Sequence, residues 1–347
     1  MRYQYLGRSG LRVSNLSLGT GNFGTAWGHG ASPAEAQAMY DQYRGAGGNF
    51  IDTSTNYQFG EAEVYLADMI ASDRDDVVLA TKYTNGTTLD SSLQMTGNGR
   101  KSMVQSVEAS LRRLKTDRID MFWAHASDDS TPMEEMLRAF DDLVRSGKVL
   151  YVGLSNFPAW RIAAGAAVAN LRGWAPLVAI QVEYSLVERA AERDLLPMAE
   201  AVGMGILGYS PLGGGMLTGK YRLGESGRAQ SSISQFMHKE DDGNKGTILD
   251  VAQAIAHEAD VTPGEVAIRW SMAKGIIPIV GPRTTEQLST NLAAADLELS
   301  PEQIERLDAA SAIRLGYPHN FRTDAGALHA VTGGKSDLLD APPFFIL

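Results

Sequence analysis

The chain contains no cysteine among its 347 residues. Disulfides, thiolate metal sites, iron–sulfur clusters and every mechanism with a cysteine nucleophile are thereby excluded. Basic residues are also in deficit: 31 Lys and Arg face 41 Asp and Glu, a formal charge of −10. Neutralising nucleic-acid phosphates takes clustered Lys and Arg, so a nucleic-acid partner is not expected. No window approaches the ~20 apolar residues of a membrane span. The start, Met1-Arg2-Tyr3-Gln4-Tyr5-Leu6-Gly7, lacks the apolar stretch of a secretory signal. A cytoplasmic protein without a membrane partner is the expectation. The six histidines form no HExxH or other compact ligand pattern, so no metal is expected. Linkers of low complexity are missing too, and residues 1–347 read as one domain with a tail from about residue 300.

What is present is 44% apolar and 21% charged, with a mean hydropathy of −0.16, the balance of a soluble globular protein. Short apolar runs predict strands at 16–19, 50–52, 77–82, 119–124, 149–155, 177–182, 204–209 and 276–280. Amphipathic stretches between them include 33–46, 102–114, 132–146, 190–202 and 249–258. Alternation of this kind implies right-handed βαβ units and a parallel sheet. Eight such units fit a (β/α)8 TIM barrel, for which ~250 residues is typical. The surplus is assigned to an N-terminal hairpin at 3–13, a long loop after the seventh barrel strand within 213–246, and the C-terminal tail. Residues 224–244, rich in Gly, Ser, Gln and charge, read as a loop rather than a domain boundary.

Two motifs invite other readings. Gly19-Thr20-Gly21-Asn22-Phe23-Gly24 is a literal G-x-G-x-x-G after a predicted strand. The dinucleotide fingerprint needs a helix to begin inside it, whereas Ala26-Trp27-Gly28-His29-Gly30-Ala31-Ser32-Pro33 follows here. A glycine turn after the first barrel strand, still able to touch a ligand, is the better reading. Gly214-Gly215-Met216-Leu217-Thr218-Gly219-Lys220 resembles the front of a P-loop, but Tyr221 stands where the magnesium-holding hydroxyl belongs. Lys220 remains a candidate phosphate contact.

The chemistry-bearing stretch is Phe50-Ile51-Asp52-Thr53-Ser54-Thr55-Asn56-Tyr57, then Gly60-Glu61-Ala62-Glu63. Later strands end at Lys82 and just before His125. In a barrel, all four of Asp52, Tyr57, Lys82 and His125 fall on the rim where active sites are built. Singly, Asp52, Lys82 and His125 have ordinary alternatives as a helix cap, a solvated lysine and a core histidine. A tyrosine hydroxyl, pKa near ~10, is too weak an acid for proton donation unless its anion is stabilised. A neighbouring ammonium would do that, with Asp52 keeping Lys82 charged.

This set resembles the aldo-keto reductase superfamily over nearly the whole chain. Further matches are Gly153-Leu154-Ser155-Asn156, Gln181-Val182-Glu183-Tyr184, Tyr209-Ser210-Pro211-Leu212, and Ile277 through Gly281, Arg283 and Gln287 to Asn291. The resemblance implies reversible reduction of aldehydes or ketones to alcohols by direct hydride transfer. Tyr57 would be the acid, Lys82 and Asp52 its supports, and His125 the group that orients the carbonyl. For the cofactor it implies Ser155, Asn156 and Gln181 at the carboxamide and Tyr184 stacked on the nicotinamide. Ser210 and Leu212, helped by Lys220, would hold the pyrophosphate, and Arg283, Gln287 and Asn291 the adenosine half. Gly19, Thr20, Gly21, Tyr209, Pro211 and Gly281 complete the expected contacts. Arg283 favours NADPH, since a guanidinium pairs with the additional phosphate. Thr290, where relatives often carry Glu, leaves NADH open, and Ser127 stands where they often have a bulky residue. Expected pocket walls are Trp27, Phe59 and Tyr83, with residues 85–100 and 317–321, a mixture of aromatic and polar groups that suits bulky ketones or keto-sugars as well as aromatic aldehydes. A non-turnover nicotinamide-binding sensor or channel-β-subunit-like regulatory protein of the same fold is the alternative; a barrel hydrolase explains none of the Tyr, Lys and His placement. An oligomer is compatible with the apolar end, Pro342-Pro343-Phe344-Phe345-Ile346-Leu347.

Overall fold

Eight of the apolar runs become the staves of one closed barrel. The structure is a computed structural model that describes residues 1–223 and 238–340. A short antiparallel pair comes first, β1 (Tyr3–Tyr5) with β2 (Arg12–Ser14). The barrel follows in chain order as β3 (Ser17–Gly19), β4 (Phe50–Asp52), β5 (Val78–Tyr83) and β6 (Ile119–Ala124). It continues through β7 (Val149–Ser155), β8 (Leu177–Glu183), β9 (Gly205–Tyr209) and β10 (Ile277–Val280). All neighbours are parallel, and β10 closes on β3 with Ile279 opposite Ser17. The fold is a (β/α)8 barrel with an N-terminal hairpin.

Strand parity divides the core. Phe50, Ala80, Met121, Trp123, Ala179, Leu207 and Ile279 fill the barrel interior, with Leu6 and Val13 of the hairpin region in the same cluster. The alternate residues, among them Tyr83, Phe122, Ala124, Val182 and Tyr184, pack outward against the helices. Burial on both faces is why these strands read as unbroken apolar runs.

The outer ring comprises α1 (Pro33–Gly45), α2 (Glu61–Met69), α3 (Arg100–Leu114), α4 (Met133–Arg145), α5 (Ala159–Arg172) and α6 (Leu195–Val202). It continues with α7 (Lys245–Ala259), α8 (Pro263–Ala273), α9 (Thr285–Ala293) and α10 (Pro301–Ala310). Ser32 caps α1 by accepting from the Glu35 amide while the Glu35 carboxylate takes the Ser32 amide, and Pro33 occupies the first turn. This capping box starts the helix at residue 33, well past the glycines of 19–24, so those glycines open no helix. The expected helix at 190–202 is instead a 3-10 turn, Ala190–Arg193, and then α6 from Leu195. Pro197 explains the break, since its missing N–H is tolerated only in a first helical turn. The tail adds two short helices, α11 (His319–Arg322) and α12 (Ala325–Thr332). Within the expected loop at 224–244, residues 224–237 lie outside the described residues, as do 342–347 of the apolar end.

Candidate active site

Lys82 sits one residue before the end of β5, on the inward-facing parity of Ala80, and is completely buried. A buried ammonium must spend all three protons, and here it does. They go to Asp52 Oδ2 at 2.5 Å, Thr53 O at 2.8 Å and Tyr57 Oη at 3.2 Å. Asp52 ends the adjacent β4, and its second oxygen accepts from Gln181 Nε2 at 2.9 Å. Burial alone would depress the Lys82 pKa. The Asp52 carboxylate and Tyr57 oxygen outweigh it, and the pKa lies above the ordinary 10.5.

Tyr57 opens a 3-10 turn after β4, its ring 4.8 Å from the ammonium. The chain then runs left-handed through Gln58 (φ 50°), Phe59 (φ 53°) and Gly60 (φ 93°). Two L-residues in that region cost roughly 1–2 kcal/mol each, so something must hold them. Gln58 does so: its Nε2 donates to Gly21 O and His29 O, both at 3.1 Å, and its Oε1 accepts from Trp27 N at 2.9 Å. Glu61 takes the amides of Thr25 and Ala26 at 2.8 and 3.1 Å. The glycine loop after β3 is thereby laced to the tyrosine loop, and Trp27 stands edge-on to both Tyr57 and Phe59 at 6.1 and 6.3 Å.

His125 follows β6 and meets Tyr57 edge-to-face, ring centres 6.0 Å apart. Burial, and secondarily the Lys82 charge, lowers its pKa to about 3. The imidazole is neutral near neutral pH, with Nδ1 3.2 Å from both Ser54 Oγ and Asn85 Nδ2.

The other half of the rim carries polar groups. Asn156, left-handed at φ 57°, donates to His125 O and Ser155 Oγ at 2.9 and 3.1 Å and accepts from Tyr209 Oη at 3.0 Å. Ser210 is left-handed too (φ 55°), and Pro211 and Leu212 lead into a 3-10 turn opened by glycines. Gly213, Gly214 and Gly215 have φ of 56°, 70° and 94°, backbone that side chains rarely adopt. Lys220 Nζ lies 5.2 Å over the Tyr221 ring beside this turn. Thr284 caps α9, taking the Gln287 amide, while Gln287 Oε1 accepts from Arg283 N at 2.9 Å. Asn22 Nδ2 holds Gly281 O and Pro282 O in front of that helix at 2.7 and 3.3 Å. Arg283 makes no ion pair with the described residues, and Asn291 is buried further along the helix. A guanidinium beside a helix N-terminus, without an ion pair among the described residues, suits an anionic dinucleotide. Thr20 is buried and donates through both N and Oγ1 to Asp52 O, and Gly19 packs against Ile279; both serve the barrel seam.

Two expected contacts are corrected. Tyr184 shares the parity of Val182, opposite to Gln181, so it points outward; it stacks on Trp270 at 5.3 Å and donates to Glu192 at 2.6 Å. It presents no ring to the barrel mouth. Tyr83 likewise alternates with Lys82, lies stacked on Phe122 with no exposure, and walls no pocket. Tyr317 and Phe321 pack on each other in the exposed tail. Ser127 gives its hydroxyl to Asp129 and receives Arg161 at 2.5 Å, a brace for its own loop. The partners not anticipated are Ser54, Gln58 and Glu61; Ser54 and Glu61 lay inside the quoted motif, Gln58 carries no signal of its own, and Asn85 opens the segment 85–100 that was expected as a pocket wall rather than as a partner of His125.

A closed parallel barrel with this Asp, Lys, Tyr and His set on its carboxyl rim defines a class. A model of the aldo/keto reductase family matches residues 15–312, and the chain belongs to that family as an oxidoreductase. It is 36% identical to the norsolorinic acid reductase of Aspergillus flavus over 327 residues, 90% of this chain and 81% of that protein. Over 319 residues it is 35% identical to an uncharacterized oxidoreductase of Bacillus subtilis, covering 89% and 95% of the two chains. An aryl-alcohol dehydrogenase of Pestalotiopsis microspora is 31% identical, again over 319 residues, 90% and 82% of each. Among the described residues, no helix is long and apolar enough to cross a membrane, and no three metal-ligating side chains cluster.

Proposed function

We propose that the protein reduces aromatic aldehydes or ketones to alcohols, reversibly, with NADPH as its preferred cofactor. The observation that carries this reading is the buried Lys82 ammonium, shared between Asp52 and the Tyr57 hydroxyl. When bound, the nicotinamide supplies the hydride. Tyr57 Oη gives its proton to the carbonyl oxygen as charge develops there, and the ammonium 3.2 Å away stabilises the phenolate left behind. Asp52 keeps the buried Lys82 charged. Neutral His125 donates a hydrogen bond to the same oxygen and fixes its direction toward Tyr57.

Ser155, Asn156 and Gln181 would hold the carboxamide. The Tyr209 ring, on the inward parity of Leu207, would take the stacking position expected of Tyr184. Ser210, Pro211, Leu212 and Lys220 would hold the pyrophosphate, and Gly281, Arg283, Gln287 and Asn291 the adenosine end, with Arg283 on the additional phosphate of NADPH. Trp27 and Phe59 give the substrate side aromatic walls, and the aryl-alcohol dehydrogenase among the relatives supports an aromatic carbonyl.

The test follows nicotinamide absorbance with NADPH and NADH against a panel of aromatic and aliphatic carbonyls. Tyr57→Phe is expected to lower kcat by at least about 10²-fold with cofactor affinity retained. Full turnover in that variant sinks the assignment. Cofactor binding without turnover on any carbonyl would favour a nicotinamide sensor.

A further inference from the structure

A neutral imidazole donates from one nitrogen only, so the tautomer of His125 decides whether it can serve a carbonyl oxygen. Its Nδ1 has two neighbours. Ser54 Oγ, at 3.2 Å, can give or accept, and its proton also reaches Asn56 Oδ1 at 2.7 Å, so the serine does not decide. Asn85 Nδ2, also at 3.2 Å, has only protons to offer. With the amide turned this way, the ring nitrogen it meets brings a lone pair, which leaves the ring proton on Nε2.

The chain takes trouble to put Asn85 there. Thr84, the residue before it, has φ 93°, a conformation that is a genuine outlier for a β-branched side chain. Buried Asn98 holds it, with Nδ2 donating to Thr84 Oγ1 at 2.9 Å, while Gly97 N donates to Thr84 O at 2.8 Å. The same Asn98 amide donates to Ala126 O at 2.9 Å, next to His125, and its Oδ1 accepts from Asp128 N at 2.7 Å. One buried side chain thus clamps the loop after β5, which carries Asn85, to the loop after β6, which carries His125.

We propose that Asn85 is a positioning residue that fixes His125 as the Nε2–H tautomer, turning the ring's proton toward the substrate carbonyl. The proposal deepens the reductase reading and rests on it for the identity of the acceptor. Because the pKa of His125 is near 3, the ring stays neutral at working pH and there is a tautomer to fix.

The experiment is long-range 1H–15N correlation spectroscopy on the intact 15N-labelled chain at about pH 8, above the ordinary histidine pKa. The His125 resonance is assigned by its loss in His125→Gln. The wild-type ring is expected to carry its proton on Nε2. In Asn85→Asp the carboxylate can only accept, so the proton is expected to move to Nδ1, and kcat to fall about 10²-fold with cofactor KM unchanged. A wild-type ring protonated at Nδ1 overturns the proposal whether or not any variant folds. So does an Asn85→Asp ring that keeps its single proton on Nε2. The tautomer is read without cofactor or turnover, so its failure is separable from that of the reductase reading, which Tyr57→Phe tests.

Discussion

Replacing Asp52 by Asn is expected to reverse the way this site's stability depends on pH. In the wild type, the Lys82 and Asp52 side chains are 0% and 2% exposed and joined at 2.5 Å. Removing one partner of such a pair leaves the other charge buried and uncompensated, a cost of about 3–5 kcal/mol. That is a large part of the roughly 5–15 kcal/mol that stabilises an ordinary fold. Wild-type Lys82 has a folded pKa above the unfolded 10.5. Its contribution is therefore fully present below 10.5 and is lost only as pH rises through the higher folded value. In Asp52→Asn, burial, the largest influence on Lys82, is no longer offset, and the folded pKa drops below 10.5. Between that lowered value and 10.5 the unfolded chain binds more protons, so the variant gains stability as pH rises, by up to about 1.4 kcal/mol per unit. Urea denaturation from neutral pH to about pH 9.5 reads this as a deficit that shrinks with alkalinity. A deficit below about 1 kcal/mol, or one constant across that range, refutes the account of Lys82 as a buried, Asp52-dependent cation.

Other consequences are separate in their readouts. His125, whose pKa falls from 6.5 to about 3 on folding, resists charging in the native state. Stability is therefore expected to fall as pH drops below 6.5, by up to about 1.4 kcal/mol per unit, and His125→Gln should remove that component from an acid denaturation series. Arg283→Ala is expected to weaken NADPH about 10-fold and leave NADH nearly unchanged, in a fluorescence titration of each cofactor; equal weakening of both would place the guanidinium elsewhere. Tyr184→Phe deletes the bond to Glu192 and should cost about 1 kcal/mol of stability with cofactor KM untouched. Tyr209→Ala should raise that KM.

The barrel was legible because its strands are buried on both faces. All eight expected strands lie within one residue of the observed ends, from Ser17–Gly19 to Ile277–Val280. Ser32-Pro33 likewise announced α1 through its capping chemistry. The break before α6 was also written in the sequence, as Pro197, but amphipathic periodicity across 190–202 hid it. Asp52, Lys82 and His125 were legible for a related reason: each terminates or directly follows a strand, and a barrel aims those positions at one rim.

The two misplaced tyrosines show that more was available than residue type and neighbourhood. Once Lys82 points inward, Tyr83 must point outward, and once Gln181 reaches Asp52, Tyr184 must join the helical layer. Period-two alternation requires both, and the same count puts Tyr209 on the inside with Leu207. Asn85 and Gln58 lie beyond such counting. Each is placed by left-handed backbone, at Thr84 before the one and at Gln58 itself. That backbone is held by distant loops, through Asn98 and through Gly21, Trp27 and His29. No local propensity favours left-handed Thr or Gln, so these turns exist because tertiary bonds over-determine them. Their strain lies beside His125 and Tyr57, the two groups that must aim a proton at one oxygen. Strand parity fixes where Lys82 and Asp52 stand, and the strained loops fix the direction in which the acid and its neighbour face.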